Sequence, residues 1–386
     1  MSAVAQPSRA ADRSSATSAV IVAAFVVSTL LGIALSAAIA WGHPILAARW
    51  GLLWRLALWA IAWAVAVAAA LRLPRRVALA LIVGGAVALR LAALAGPPTT
   101  SDDLYRYAWD GRVQAAGIDP YAQAPASMQL AAVRDQWLWP TDAGCAALHR
   151  PPGCTRINRP AERTIYPPVA EAWFGAVYRF GGLADRHKLW QVAGLLTDLA
   201  TIGLLVVALR RLGRDPRWVA LYALSPIPVL EIVNNGHVDG LAIALVVGAL
   251  AVAAGAASET RRDIAVGLLL GMATLVKLYP ALLLPAVAGL AASRPRRSLA
   301  RAATAASALV AVAYLPHVVA VGWRVVGYLP GYLKEEHYDQ GGRFLLAGIA
   351  GLPGAATTAV AIAALLGTIG WVLWRRPPFP QAVALL

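Results

Sequence analysis

An acidic pair opens the chemically densest stretch of this sequence, Ser101-Asp102-Asp103-Leu104-Tyr105-Arg106-Tyr107-Ala108-Trp109-Asp110-Gly111-Arg112. Adjacent carboxylates raise each other's pKa and apolar surroundings raise them further, which makes an aspartate a competent general base toward a hydroxyl. Capping is the competing reading, because Ser-Asp-Asp ahead of a helical stretch satisfies orphan N–H groups and sits at the positive end of the helix dipole. The two roles are compatible. Around the pair lie Tyr105, Arg106, Trp109, Arg112, Tyr121, Trp137 and Trp139. Flat rings cover the C–H faces of a sugar, charged groups bond its hydroxyls, and the arginines suit a phosphate. An interfacial aromatic belt would gather the same rings without binding anything.

Three further groups combine polar and aromatic residues beside apolar runs: Tyr166-Pro167-Pro168, Asn234-Asn235-Gly236-His237-Val238-Asp239 and Lys277-Leu278-Tyr279-Pro280. Lys277 in an apolar setting is costly unless paired, which suggests an anionic partner such as a lipid phosphate; snorkelling to the headgroups is the alternative. His237 and Asp239 read either as part of a site or as a hydrogen-bonded pair that fixes a turn. Near the C-terminus, residues 321–343 carry Arg324, Lys334, His337 and Arg343, which suit phosphate or acceptor but equally a solvated loop. Arg90, Glu171 and Asp198 interrupt apolar stretches and are read as interhelical polar contacts. No cluster of ligand-type residues argues for a metal.

The elements that must position these groups are membrane helices. With 59% hydrophobic and 14% charged residues the chain is too apolar for a soluble fold. Its net charge of +15 resides in short arginine clusters between apolar runs of about 20 residues, a membrane pattern and not a nucleic-acid footprint. Residues 1–16 read as a disordered cytoplasmic tail and 17–386 as one transmembrane domain. Spans are expected at about 19–41, 52–71, 77–95, 188–210, 217–233, 238–257, 264–276, 279–292, 299–319 and 353–374. Arginine-rich turns at 72–76, 210–214, 261–262, 294–301 and 375–376 are placed in the cytoplasm. That makes 96–166 a long first outer loop and 321–343 the last one, provided that 167–182 forms a short re-entrant or interfacial helix with Pro in its first turn. The run Gln381–Leu386 reads as the start of another helix, so the fold is expected to continue beyond 386 unless the C-terminus is abrupt.

The only two cysteines, Cys145 and Cys154, both fall in the first outer loop. A disulfide is the natural reading on an oxidising side, with free thiols as the alternative; it would close a loop of about ten residues and contribute roughly 2.5–3 kcal/mol. Zinc fits less well, since His149 alone does not complete a four-ligand set.

The ordered set Ser101–Tyr107, Trp109–Arg112, Gly117-Ile118-Asp119-Pro120-Tyr121, Tyr166-Pro167-Pro168, Asn235–Asp239 and Lys277–Pro280 resembles the GT-C glycosyltransferases, closest to bacterial polyprenol-phosphate-mannose-dependent mannosyltransferases. The resemblance covers roughly residues 19–386. It implies an all-α polytopic bundle of about 10–12 transmembrane helices in the bacterial inner membrane, with its active site on the extracytoplasmic face. It also implies a polyprenyl-phosphate sugar donor, a lipid or glycan acceptor, no cofactor, and an acidic base in the first outer loop. Asp103 fits the family spacing to Arg106-Tyr107 better than Asp102 does. Tyr105, Arg106, Arg112, Tyr166, His237, Asp239, Lys277, Tyr279, His337 and Arg343 are the expected substrate-binding residues, with the bilayer holding the isoprenoid tail. Two extra spans before the loop depart from many relatives. The competing class is a transporter or flippase of a lipid-linked substrate, which predicts paired repeats and broken helices at midplane. No clear repeat is legible here, and the acids concentrate in an outer loop.

Overall fold

The structure is a computed structural model that describes residues 9–42, 49–181, 186–255, 258–291, 293–338, 349, 351 and 353–386. Among the described residues every regular element is helical. In chain order these are α1 (Arg9–Ala40), α2 (Arg49–Arg72), α3 (Arg75–Ala93), α4 (Asp103–Ala115), α5 (Asp142–Ala147), α6 (Pro168–Phe180) and α7 (Arg186–Arg211). A broken segment follows, with short α8 (Ala220–Ala223), α9 (Pro226–Pro228) and a π-helical turn, Val229–Asn234. Then come α10 (Asp239–Ala253), α11 (Glu259–Thr274), a 3-10 run Tyr279–Gly289, α12 (Pro295–Val321), α13 (Leu329–Glu335), and two last helices, Gly354–Arg375 and Phe379–Leu385.

Among the described residues, six stretches are long and apolar enough to cross a membrane: Ser18–Ala40, Arg49–Arg72, Arg75–Ala93, His187–Arg211, Pro295–Glu335 and Gly354–Arg375. This differs from ten unbroken spans, and the reason is local chemistry. Pro226 and Pro228 lack N–H donors and divide the run expected at 217–233, while Pro280 and Pro285 hold 279–289 in a 3-10 path. At 15 and 16 residues, α10 and α11 reach only roughly 22–24 Å, less than an untilted crossing needs. Helix α1 starts at Arg9, inside the stretch expected to be an irregular tail. The segment after Val321 holds a 3-10 turn, Gly322–Val326, and α13, where a loop was expected.

The chain divides into two compact units. The first comprises Met1–Leu104 and Asp185–Gly240. Its core packs Phe25, Ile39, Trp59, Ile82 and Leu89 with a set of buried alanines, including Ala66, Ala70, Ala78, Ala86 and Ala93. Small residues let helices approach closely where lipid offers no hydrophobic drive between them. Arg90 and Asp198, both fully buried, form an ion pair there, which Tyr222 completes by donating its hydroxyl to Asp198 at 2.8 Å.

The second unit comprises Tyr105–Ala184 and Leu241–Leu386. Its membrane-type core brings together Val266, Leu270, Ala286, Val287, Ala302 and Phe379. Helices α11 and α12 cross where Gly271 meets Ala306, a Cβ built on that glycine lying 3.0 Å from the Ala306 Cα. Between 105 and 166, Trp109, Tyr121, Leu130, Leu138, Cys145 and Ile157 are buried, and Cys145 is disulfide-bonded to Cys154 with Cα atoms 5.8 Å apart.

Helices α4 and α6 pack at Gly111. A Cβ there would lie 2.5 Å from the Phe174 carbonyl oxygen and 2.9 Å from the Tyr178 Cβ, so the backbones themselves must separate to admit it. Gly111→Ala is therefore expected to destabilise the protein by about 1–3 kcal/mol, read as a lower thermal unfolding temperature in detergent. An unchanged temperature would show that the two helices yield freely.

Candidate functional site

In the first unit the acidic pair sits where the chain enters α4. Ser101 Oγ accepts the Asp103 N–H at 3.2 Å, so the serine satisfies one orphan donor at the start of the helix. Asp102 is exposed and Asp103 half-buried. The segment leading into them is clamped by two consecutive asparagines. Asn234 Oδ1 accepts the Thr99 N–H at 3.1 Å and its Nδ2 donates to the Ala93 and Pro97 carbonyls at 2.9 and 3.0 Å. Asn235 Oδ1 accepts the N–H groups of Thr99 and Thr100 at 3.2 and 3.1 Å. Gln191 donates to the carbonyls of Gly96 and Asn234, and Lys188 donates to those of Leu94 and Gly96. A turn with no regular ladder of its own thus has its backbone groups satisfied by side chains.

The π-helical turn closes with Asn235 N–H bonded to the Leu230 carbonyl, and Gly236, at φ +67°, reverses the chain so that His237 N–H reaches the Glu231 carbonyl at 3.1 Å. Glycine suits that positive φ, and a Cβ would also crowd the Trp190 carbonyl at 3.3 Å. The outcome is a three-residue cluster: His237 Nδ1 is 3.1 Å from Glu231 Oε2, and His237 Nε2 is 3.9 Å from Asp103 Oδ2. Burial disfavours the charged imidazole, but the hydrogen bond to Glu231 and the charges of Asp103, Glu231 and Asp239 outweigh it and raise the pKa of His237. Sequence reading singled out Asp103, His237 and Asp239 but missed Glu231. The available signal was an acid inside an apolar run, three residues before the Asn-Asn pair.

In the second unit α4 continues with Tyr105, Arg106, Asp110 and Arg112. Both arginines expected to meet phosphate are engaged internally. Arg106 pairs with Asp110 at 3.0 Å and donates to the Glu162 carbonyl at 3.0 Å, while Arg112 pairs with Asp135 at 3.1 Å and donates to the Tyr178 hydroxyl at 2.9 Å. Glu171, in the first turn of α6, takes a hydrogen bond from Thr164 Oγ1 at 2.6 Å and one from Gln114 Nε2 at 3.0 Å. Burial, then the charge of Asp110, raises the Glu171 carboxyl well above its usual range; burial also raises Asp110, against the pull of Arg106. The two carboxyls act directly on one another, and their contact ties α4 to α6. Helix α6 is further anchored at its N-terminus, where Val169 and Ala170 N–H groups donate to the Leu275 carbonyl at 3.0 and 3.1 Å.

Those last bonds bring Tyr166 and Lys277 together. The Tyr121 hydroxyl donates to the Tyr166 carbonyl at 2.6 Å, Tyr107 and Phe174 flank the Tyr166 ring, and the Lys277 ammonium lies 5.3 Å from its centroid. Lys277 is half-buried at the end of α11, and Tyr279 is exposed at the start of the 3-10 run. Tyr105 is buried edge-on to Trp137, with Arg156 over its ring. His337 is exposed beyond α13 at φ +55°; Arg343 lies outside the described residues. Among the described residues no group of three or more His, Cys, Asp or Glu side chains is arranged to hold a metal ion.

Residues 165–386 match the family model described as Glycosyltransferase family 87. The match begins beyond the acidic motif, so Asp102 and Asp103 rest on their geometry and on the sequence pattern. No curated protein and no solved structure matches the chain.

Proposed function

We propose, from the premise that the chain belongs to glycosyltransferase family 87, that it transfers a hexosyl residue, mannose, from a polyprenyl-phosphate donor to a lipid or glycan acceptor. The family and the six long apolar helices make it a membrane-embedded glycosyltransferase. The finer reading, including a bacterial inner membrane and an extracytoplasmic active site, follows from the arginine-rich turns and the GT-C resemblance.

One observation carries the chemistry: a half-exposed carboxylate, Asp103, at the start of a helix and 3.9 Å from the His237 imidazole. Asp103 takes the proton of the acceptor hydroxyl as that oxygen bonds to the anomeric carbon. The carbon–oxygen bond to phosphate breaks, polyprenyl phosphate leaves with the electron pair, and the anomeric configuration inverts. Negative charge on the departing phosphate needs a fixed cation. In this reading Lys277 supplies it, on the strength of its apolar setting and of the Lys277–Pro280 motif in the GT-C resemblance.

The test uses the full chain in proteoliposomes with crude lipid and glycan acceptors, and radiolabelled mannose supplied either on polyprenyl phosphate or on a nucleotide. Label should pass to acceptor from the lipid donor only. Transfer from the nucleotide would overturn the donor assignment. Lipid-linked mannose crossing the bilayer without transfer would indicate a flippase.

A further inference from the structure

We infer that Glu231 is a positioning residue for the transfer reaction: by accepting the Nδ1–H of His237 it turns Nε2–H of that ring toward Asp103, holding the base in one orientation. The inference rests on Asp103 acting as the base.

Three independent pieces of geometry support it. His237 Nδ1 faces Glu231 at 3.1 Å, while Nε2 is buried, has no hydrogen-bond partner, and points to within 3.9 Å of the Asp103 carboxylate. Asn235 Nδ2 donates to the same Glu231 oxygen at 3.2 Å, so the acid is held by the residue whose Oδ1 also clamps Thr99 and Thr100 ahead of Asp103. Glu231 and His237 are six residues apart, a spacing that a regular helix puts on different faces. Only the π-helical turn and the positive φ of Gly236 bring them together. Such wide turns recur at functional sites.

A purely structural role fits less well. The Glu231 side chain is 44% exposed and would be solvated without His237, and the backbone bond between the two residues already fixes the turn. The groups facing the imidazole are Glu231, Asp103 and Asp239, all carboxylates, and no cation offsets them in that set. The imidazolium therefore persists above the ordinary range of histidine.

The sign of the pH dependence follows. Activity that needs the imidazolium is present at low pH and is lost as pH rises through the raised pKa of His237. Glu231→Gln removes a charge-assisted hydrogen bond and should move that alkaline limb of the kcat profile down by about one to two pH units, with donor KM unchanged. Glu231→Asp should restore part of the shift. The His237 ring titration, followed by NMR and assigned through His237→Gln, reads the same displacement without turnover. An unmoved limb or titration in Glu231→Gln would overturn the inference, as would a loss equal at every pH that tracks a lower unfolding temperature. Asp103→Asn separates the two ideas: full activity there removes the base itself, whereas an inactive Asp103→Asn with an unmoved Glu231→Gln limb removes only the role of Glu231.

Discussion

Asp103→Asn is expected to fold as the parent does and to lose sugar transfer by a factor on the order of 10²–10⁴, the usual worth of a positioned general base. The substitution is chosen for its shape. The Ser101 hydroxyl, which accepts the Asp103 N–H, stays in place, and asparagine is as acceptable as aspartate near a helix start. Asparagine keeps the shape and an accepting oxygen, and the charge lost at the helix start is worth roughly 0.3–1 kcal/mol, so the unfolding temperature in detergent should move little. What disappears is the basic oxygen facing His237. Turnover and unfolding measured on one preparation distinguish the outcomes. Inactive but equally stable protein supports the base. If Asp103→Asn retains transfer while Asp102→Asn loses it, the exposed neighbour takes the role.

A large effect on stability is expected from Arg90→Met. Arg90 and Asp198 are both wholly buried, and the pair links α3 to α7. Arg90 also donates to the carbonyls of Ala86 and Ala223, and the latter bond secures the broken segment that leads to the π-helical turn. Removing the cation leaves the Asp198 carboxylate with the Tyr222 hydroxyl and no opposite charge. Breaking a buried pair in this way typically costs about 3–5 kcal/mol. The double variant Arg90→Met with Asp198→Asn should recover most of that loss, because two desolvation penalties vanish together. Thermal unfolding in detergent checks both. A double variant no more stable than the single one would mean that the pair contributes through the packing of the arginine side chain.

Much of this protein was legible without coordinates, because lipid imposes simple rules. A chain that is 59% hydrophobic, with arginines between apolar runs, must satisfy its backbone within helices. Four long early spans could therefore be read to within a few residues, and so could the short helix beginning at Pro168. Arg90 and Asp198 stood out as interhelical contacts because charge in an apolar stretch is too costly to leave unpaired. The cap-like Ser-Asp-Asp announced α4.

Spacing in the sequence could not reveal partners brought together by irregular backbone. Hydropathy counts apolar residues but is blind to a π-helical turn, so 217–233 looked like one span and Glu231 passed unnoticed within it. The arginines of α4 looked equally available for phosphate. Only packing assigned Arg106 to Asp110 beside the buried Glu171, and Arg112 to Asp135. Thr99 and Asn234 are 135 residues apart, and nothing local links them. Composition and periodicity by themselves determined the solvent, the helices and the residue types available for chemistry, because those follow from each segment's own transfer energy. Tertiary structure alone decided which carboxylate faces which imidazole, because a hydrogen bond acts over about 3 Å and is made only after distant segments have packed.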